Sequence, residues 1–352
     1  MSKHSKHSKH AKKIIQAKKP FLLRFFISMI ATLLIFGTGI LVIYQYIFSD
    51  MEQEIALVDE EVGIEKEEEY FSNKVRNIAL FGIDALNKEM VGRSDSIIIL
   101  TLDDERKEIR LSAIQRDSYV EMEHPKRGTI DDKINHAHAY GGPKLAVKTL
   151  NKNFGLDIQD YVVINFTNME KVVDILGGIE LEVSSAYRSE ANHHISELAK
   201  VRGISPKLIQ STGKQNLSGM QVLGMMRCRK KVGGVGQRSS MHEILLDACF
   251  EKVKKKSVLE YPNIAKSMLK LVKTTLSSSE VTELGIKVLT GGYTIKQEVF
   301  PLAQDLEGYG GRMYGGVYYL TFNKETMPVH LRDFVYKSEL PEKKELPQQN
   351  EP

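Results

Sequence analysis

Five charged residues of unlike sign crowd one short stretch: Asp84, Arg93, Asp95, Arg116 and Asp117. Carboxylates alone would suit a cation and guanidiniums alone an anion. The mixture suits a phosphate group with a bound divalent metal. Asp117, beside Arg116, is placed to orient it rather than to react. Arg227 and Arg229 form a second cluster, separated by one residue. If MMRCRKK is a strand, side chains alternate with period two and both guanidiniums leave the same face. Such a pair repels itself unless an anion lies between the two. Any one Arg–Asp neighbour pair can also be read as a solvated ion pair.

The elements that must position these groups are legible as apolar, β-branched runs at Asn77–Ile83, Ser96–Leu102 and Ile109–Ile114. The last two are joined by DDERKE, a charged turn of hairpin length. Each run ends at a cluster of charge, which is how a rigid sheet delivers polar groups to a site. EMEHPKRGTIDDK then reads as a polar loop. Gly141-Gly142-Pro143 opens a helical pattern through Leu145, Val147, Leu150 and Phe154. Tyr161–Phe166 is a buried strand, Asn168–Leu176 a helix stopped by Gly177-Gly178, and Ile179–Val183 an alternating strand. Residues 184–213 look like a polar, irregular insertion, and a Ser-capped helix begins at Leu217. Further helices are expected at Met241–Lys254, Ile264–Lys273, Ser279–Thr290 and near Lys324–Lys337, with one or two late strands between Val299 and Phe322. Strand, helix, strand in this order implies an α/β core with crossover connections.

The chain of 352 residues can bury one large core with appendages. Its net charge of +4 is uneven. Lys3, Lys6, Lys9, Lys12, Lys13, Lys18 and Lys19 precede any acid, and Asp50–Glu69 is strongly acidic. The basic balance therefore describes a tail, not a nucleic-acid-binding face. Between Phe21 and Phe48 the chain is almost continuously apolar. At about 1.5 Å per residue that suffices for one membrane-spanning helix. Lysines before it and acids after it put the N-terminus in the cytoplasm and everything after residue 50 outside.

The SKH repeat from Ser2 to His10 reads as a disordered basic tail drawn to anionic lipid, with a metal-binding tract as the competing reading. His193 and His194, adjacent in a polar stretch, are expected to be solvated rather than to share a metal. Cys228 and Cys249 would face an oxidising compartment, where a disulfide or a buried thiol are both open. An external domain without a GxxxxGK[ST] loop excludes ATP and needs a substrate already activated. The bilayer offers one such class, polyprenyl-pyrophosphate-linked glycans.

Several motifs resemble those of the LytR-CpsA-Psr (LCP) proteins of Gram-positive cell envelopes. They are GID at Gly82–Asp84, GRSDS at Gly92–Ser96, RDSYV at Arg116–Val120, KINHAHAYGG at Lys133–Gly142, VDILGGIELEV at Val173–Val183 and NLSGMQVLGMMRCR at Asn216–Arg229. The resemblance implies an α/β fold with a central mixed β-sheet flanked by helices, preceded here by the single transmembrane helix. Composition divides the chain into a basic cytoplasmic tail at 1–20, the membrane helix at 21–48, an acidic stalk at 49–72 and a disordered tail at 339–352, and the resemblance makes 73–338 the extracellular catalytic domain.

The activity it implies is a phosphotransferase that moves a glycopolymer, such as teichoic acid or capsule, from a polyprenyl-pyrophosphate carrier to a peptidoglycan hydroxyl. Membrane lipid would be a partner and nucleic acid would not. Arg116, Lys133, Arg227 and Arg229 would clamp the pyrophosphate and absorb charge in the transition state. Arg93 would bind phosphate or orient Asp95. Asp84 and Asp95 match positions that hold Mg²⁺, and Mn²⁺ would suit the same oxygens. Apolar faces near Val147–Leu150 and Val172–Leu176 would either wall a lipid tunnel or be plain core.

One stretch departs from the family. Where a D-x-G-R-x-x-R-Q-like motif is expected, the chain reads GGVGQRSSMHE from Gly233 to Glu243, with Gly234, Gln237, Ser240 and Met241 in place of Asp, Arg, Arg and Gln. Arg238 can substitute from one residue away if the loop slips. The alternative function is therefore a weakened relative that binds such lipid-linked glycans as a regulatory or binding module.

Overall fold

The computed structural model describes residues 57–64, 71–83, 90–228, 241, 244–245, 248–249, 251–253, 255–256, 260–307 and 310–342. The apolar span at 21–48 and the acids at 65–69 lie outside these residues. No helix among the described residues is long and apolar enough to cross a membrane.

In chain order the elements are β1 Val75–Ile83, β2 Ser94–Asp103, β3 Glu108–Ile114, β4 Tyr119–His124, β5 Gly128–Lys133, α1 His136–Phe154, β6 Asp160–Asn165, α2 Phe166–Ile175, β7 Ile179–Val183, α3 Ser185–Arg202, β8 Gly213–Leu217 and α4 Gly219–Met226. They continue with α5 Tyr261–Leu269, β9 Lys273–Thr274, α6 Ser278–Thr290, β10 Thr294–Phe300, β11 Arg312–Tyr314, β12 Val317–Tyr319 and α7 Thr326–Arg332.

A six-stranded mixed sheet in the order β10-β3-β2-β1-β6-β9 forms the centre. The three apolar runs read from the sequence are β1, β2 and β3, paired antiparallel, with DDERKE at the β2–β3 turn. β6 joins β1 in parallel and β10 joins β3 in parallel, as crossover connections require. Period-two alternation sends Ala79, Phe81 and Ile83 of β1 into the core under α1, where Val147, Leu150 and Phe154 are fully buried. Ile78 of β1 faces the other way, with Ile98, Leu102 and Leu111, toward α6. A third cluster gathers α2, α3, α4 and β7 around Val173, Leu176, Ile195 and Met225.

Four expectations need correction. The polar stretch 121–133 is a hairpin, β4–β5, not a loop. Its V-E-M-E alternation buries Val120 and Met122 while Glu121 stays outside, so the strand signal was present but masked by charge. Residues 184–213 hold an 18-residue helix, α3, capped by Ser184 and ended by Gly203, and then the start of β8. Ala191, Ile195, Leu198 and Ala199 supply its buried stripe at helical spacing. MMRCRKK does not begin as a strand. α4 opens with a Ser218–Gln221 capping box and runs through Met226, with Arg227 as its C-cap. Finally, part of the acidic stalk joins the core: Val62 is fully buried there, with Leu57, Ile64 and Phe71 against it.

The helix expected after Gly141-Gly142 is the second half of α1. Gly142, at φ 67°, breaks the helix, leaving a short first segment that carries His136, His138 and Tyr140. Cys228 and Cys249 are both buried and unbridged. His193 and His194 lie on α3 beside Glu197, with His193 open to solvent.

Candidate functional site: a cationic pocket beside an apolar cavity

The starts and ends of β2, β3 and β5 meet at one corner of the sheet. Three backbone bonds tie them: Ser94 N–H donates to Asn135 O at 3.2 Å, Asn135 N–H to Arg116 O at 3.2 Å, and Ile134 N–H to Ser118 O at 2.9 Å. The polar side chains at these strand ends therefore cannot drift apart without breaking the ladder. They line a pocket of about 290 Å³ formed by Arg93, Asp95, Arg116, Asp117, Lys133, Asn135 and His136.

Inside it Arg116 pairs with Asp95 at 2.9 Å and with Asp117 at 3.4 Å. Lys133 donates to the other oxygen of Asp117 at 2.7 Å. Asp117 is buried, with one oxygen toward each of the two cations. Arg93 is exposed at the rim. Three cations face two carboxylates, so the pocket carries surplus positive charge for an anion. Asp95 Oδ1 takes both Arg116 and, at 3.4 Å, Asn135 Nδ2, while Oδ2 has no partner among the described residues.

Five of the ten residues singled out in the sequence thus meet here: Arg93, Asp95, Arg116, Asp117 and Lys133. Arg227 is not among the lining residues. Its place as a helix cap removes the period-two argument that aligned it with Arg229. Asp84, Arg229, Gln237 and Arg238 lie outside the described residues. The chain neighbour of Asp84, Ile83, pairs with Ser94, the residue before Asp95. Asn135, His136 and Asp132 were not singled out. Their signal was a run of polar residues, D-K-x-N-H, at the junction between a strand and a helix.

Beside the pocket β1, β2 and β6 bound an apolar cavity of about 220 Å³. Leu80, Gly82, Ser96 and Ile98 floor it, and Met169, Val172, Met226 and Cys249 roof it. Of the two apolar faces weighed from the sequence, Val147 and Leu150 are core, and Val172 lines the cavity. Asp95 lines the cationic pocket and its neighbour Ser96 lines the apolar cavity, so the first turn of β2 separates the two.

The chain matches the model of the LytR_cpsA_psr family over residues 43–331. "Regulatory protein MsrR" of Staphylococcus aureus (strain Mu50) is 28% identical over 273 residues, covering 75% of this chain and 77% of that protein. "Polyisoprenyl-teichoic acid--peptidoglycan teichoic acid transferase TagU" of Oceanobacillus iheyensis is 25% identical over 309 residues, covering 84% and 88%. The solved structure "TagT bound to LIIa-WTA" superposes with a TM-score of 0.58 at 27% identity, covering 77% of this chain and 93% of that one. The family match covers most of the chain and the mixed α/β architecture agrees with it: this protein belongs to the LytR_cpsA_psr family.

Proposed function

We propose that this protein is a membrane-anchored, extracellular phosphotransferase that moves a glycopolymer from a polyprenyl-pyrophosphate carrier to peptidoglycan through a phosphodiester bond. One observation carries the reading. A cationic pocket suited to pyrophosphate and an apolar cavity suited to prenyl chain adjoin across Asp95 and Ser96. An amphiphile with a doubly phosphorylated head needs both. The names of TagU and of the TagT complex support the same substrate class. The apolar span at 21–48 and the flanking charges support the anchor and the outward orientation.

In this reading Arg116 and Lys133 hold phosphoryl oxygens, and Asp117, bonded to both, fixes their direction. Arg93 closes the rim. Arg227, the C-cap that follows Met226 of the cavity roof, and Arg229, two residues on in sequence, would complete the clamp. Gln237 and Arg238 would add phosphate contacts from the altered motif. Asp95, with one oxygen unpaired among the described residues, and Asp84 offer the hard oxygen donors that Mg²⁺ or Mn²⁺ takes. Among the described residues no group of three or more His, Cys, Asp or Glu forms a complete cage. That suits an ion held by one or two carboxylates and the substrate's phosphates. When bound, it would neutralise charge on the pyrophosphate.

The test uses the full chain in detergent with Mg²⁺, octaprenyl-pyrophosphate-linked N-acetylglucosamine as donor and a peptidoglycan oligomer as acceptor. Glycan-linked product is read by mass spectrometry, beside an Arg116→Ala variant and an Arg227→Ala, Arg229→Ala variant. Product lost in the variants supports the transferase. Tight donor binding without product from the native chain supports the second reading, a binding or regulatory module, which the departures at Gly234, Gln237, Ser240 and Met241 favour. Neither binding nor product from folded protein would refute both.

A further inference from the structure

Behind the cationic wall of the pocket stands an array that the clamp does not use. His136, the first residue of α1, lines the pocket. Its Nδ1 stands 2.9 Å from Asp132 Oδ2, and the Tyr140 hydroxyl donates to the same oxygen at 2.7 Å. Asp132 Oδ1 accepts the Lys133 backbone N–H at 2.8 Å. Both oxygens of this carboxyl are thus bound, and the residue is only 9% exposed. Burial pushes its pKa up, but the hydrogen bonds from His136, Tyr140 and the Lys133 backbone outweigh that, and the net shift is downward. Asp132 is a carboxylate and can only accept. In the neutral ring the Nδ1 of His136 is then the nitrogen that carries the hydrogen, which leaves the lone pair on Nε2.

Nε2 has no hydrogen-bond partner among the described residues. The ring cannot easily turn away. Nδ1 is held by Asp132, and the Tyr140 ring lies edge-on to it at 5.8 Å. Tyr140 sits one turn along in the short segment before the Gly141–Gly142 break, so that segment supplies both His136 and its brace. A pair serving only to start the helix would need no histidine in the lining of an anion pocket. A base beside three cations has a use where a neutral hydroxyl must attack a phosphate held by them.

Resting on the transferase reading, we infer that His136 is the general base of the reaction, accepting the proton of the attacking acceptor hydroxyl, with Asp132 as its positioning residue. The acceptor oxygen forms its bond to the phosphorus that bears the glycan. Its proton passes to Nε2. The bridging P–O bond of the pyrophosphate breaks, and the electron pair leaves on polyprenyl phosphate. The imidazolium then returns its proton to solvent. Atoms and charge balance with the two substrates alone. Asp132 holds the imidazole in the tautomer that can accept, and stabilises the imidazolium formed.

The test uses the full chain in detergent with octaprenyl-pyrophosphate-linked N-acetylglucosamine and a peptidoglycan oligomer, following octaprenyl phosphate release and linked product. His136→Asn keeps a donor toward Asp132 but removes the base. It is expected to lower kcat by about 10²- to 10⁴-fold, with affinity for octaprenyl pyrophosphate and melting temperature unchanged. His136→Ala should regain activity with added imidazole, and should do so even if His136→Asn folds poorly. Asp132→Asn should lower kcat and leave the donor KM alone. Activity of His136→Asn within threefold of native would overturn the inference, as would a loss that follows donor affinity or an alanine variant that imidazole cannot rescue. A native chain that binds donor but releases no octaprenyl phosphate would overturn the transferase reading itself, and this inference with it.

Discussion

Filling the apolar cavity tests whether it holds prenyl chain. Val172 on α2 lines the cavity and is 5% exposed. Phenylalanine there adds four carbons pointing into the space. A dry cavity of about 150 Å³ accepts a benzene, so the cavity of about 220 Å³ accepts roughly nine carbons, close to two isoprene units. Val172→Phe would therefore displace nearly half of the buried chain. At about 0.8 kcal/mol per buried carbon the loss is about 3 kcal/mol, or a roughly 200-fold weaker affinity. Overpacking a filled core typically costs about 1–3 kcal/mol of stability; an existing void should hold the penalty to the low end.

The assay is calorimetric titration of the full chain with octaprenyl pyrophosphate and, separately, with inorganic pyrophosphate. Binding of the prenylated ligand should weaken while that of inorganic pyrophosphate stays within twofold. Unchanged affinity for octaprenyl pyrophosphate in a folded variant would refute the assignment of the cavity. Equal weakening of both ligands would show that the substitution disturbs the cationic pocket instead.

Three other perturbations follow from the geometry. Arg116→Ala should lower kcat about 10²- to 10³-fold, the usual cost of removing one donor aimed at developing charge; a variant within tenfold of native in octaprenyl phosphate release would refute its role in the clamp. Asp103 is fully buried with Arg110, which also meets Glu108 and donates to Val335 O. Burial raises the pKa of Asp103, but bonds from the Arg106 backbone and the Arg110 and Arg106 side chains lower it overall. Its stabilisation is thus complete above the unfolded value of about 3.9 and is lost as pH falls through the lower folded value. Asp103→Asn should cost about 3–5 kcal/mol at pH 7 and flatten the acid limb of melting temperature against pH, and an unchanged acid limb would count against the pair. Burial pushes the thiols of both Cys228 and Cys249 up to about 12, so both should react slowly at neutral pH. Octaprenyl pyrophosphate should further protect Cys249, which lines the cavity, and not Cys228; equal protection, read by mass spectrometry of alkylated peptides, would refute a local effect.

Much of this protein was legible before folding. The three strands of the central sheet stand out because apolar, β-branched runs ended by charge have few other uses. The turn at DDERKE, the capping at Ser218 and the break at Gly177-Gly178 are local devices, readable one by one. So were Arg93, Asp95, Arg116 and Asp117, because strand ends carry them to the same edge.

Tertiary structure decided the rest. The hairpin at 119–133 and the helix at 185–202 were hidden because short charged segments bury narrow stripes, and only packing against α1 and α4 shows which residues face inward. MMRCRKK suits a strand by composition. Yet Gly224 fits so closely against Ile195 and Ala191 that helical packing there overrides propensity. The pocket itself depends on register. The backbone bonds between Ser94, Asn135 and Arg116 bring residues 94, 116 and 135 together, and no spacing along the chain encodes that distance. His136 became a candidate base for the same reason. An imidazole acquires a defined tautomer only when the fold puts a carboxylate on its other nitrogen.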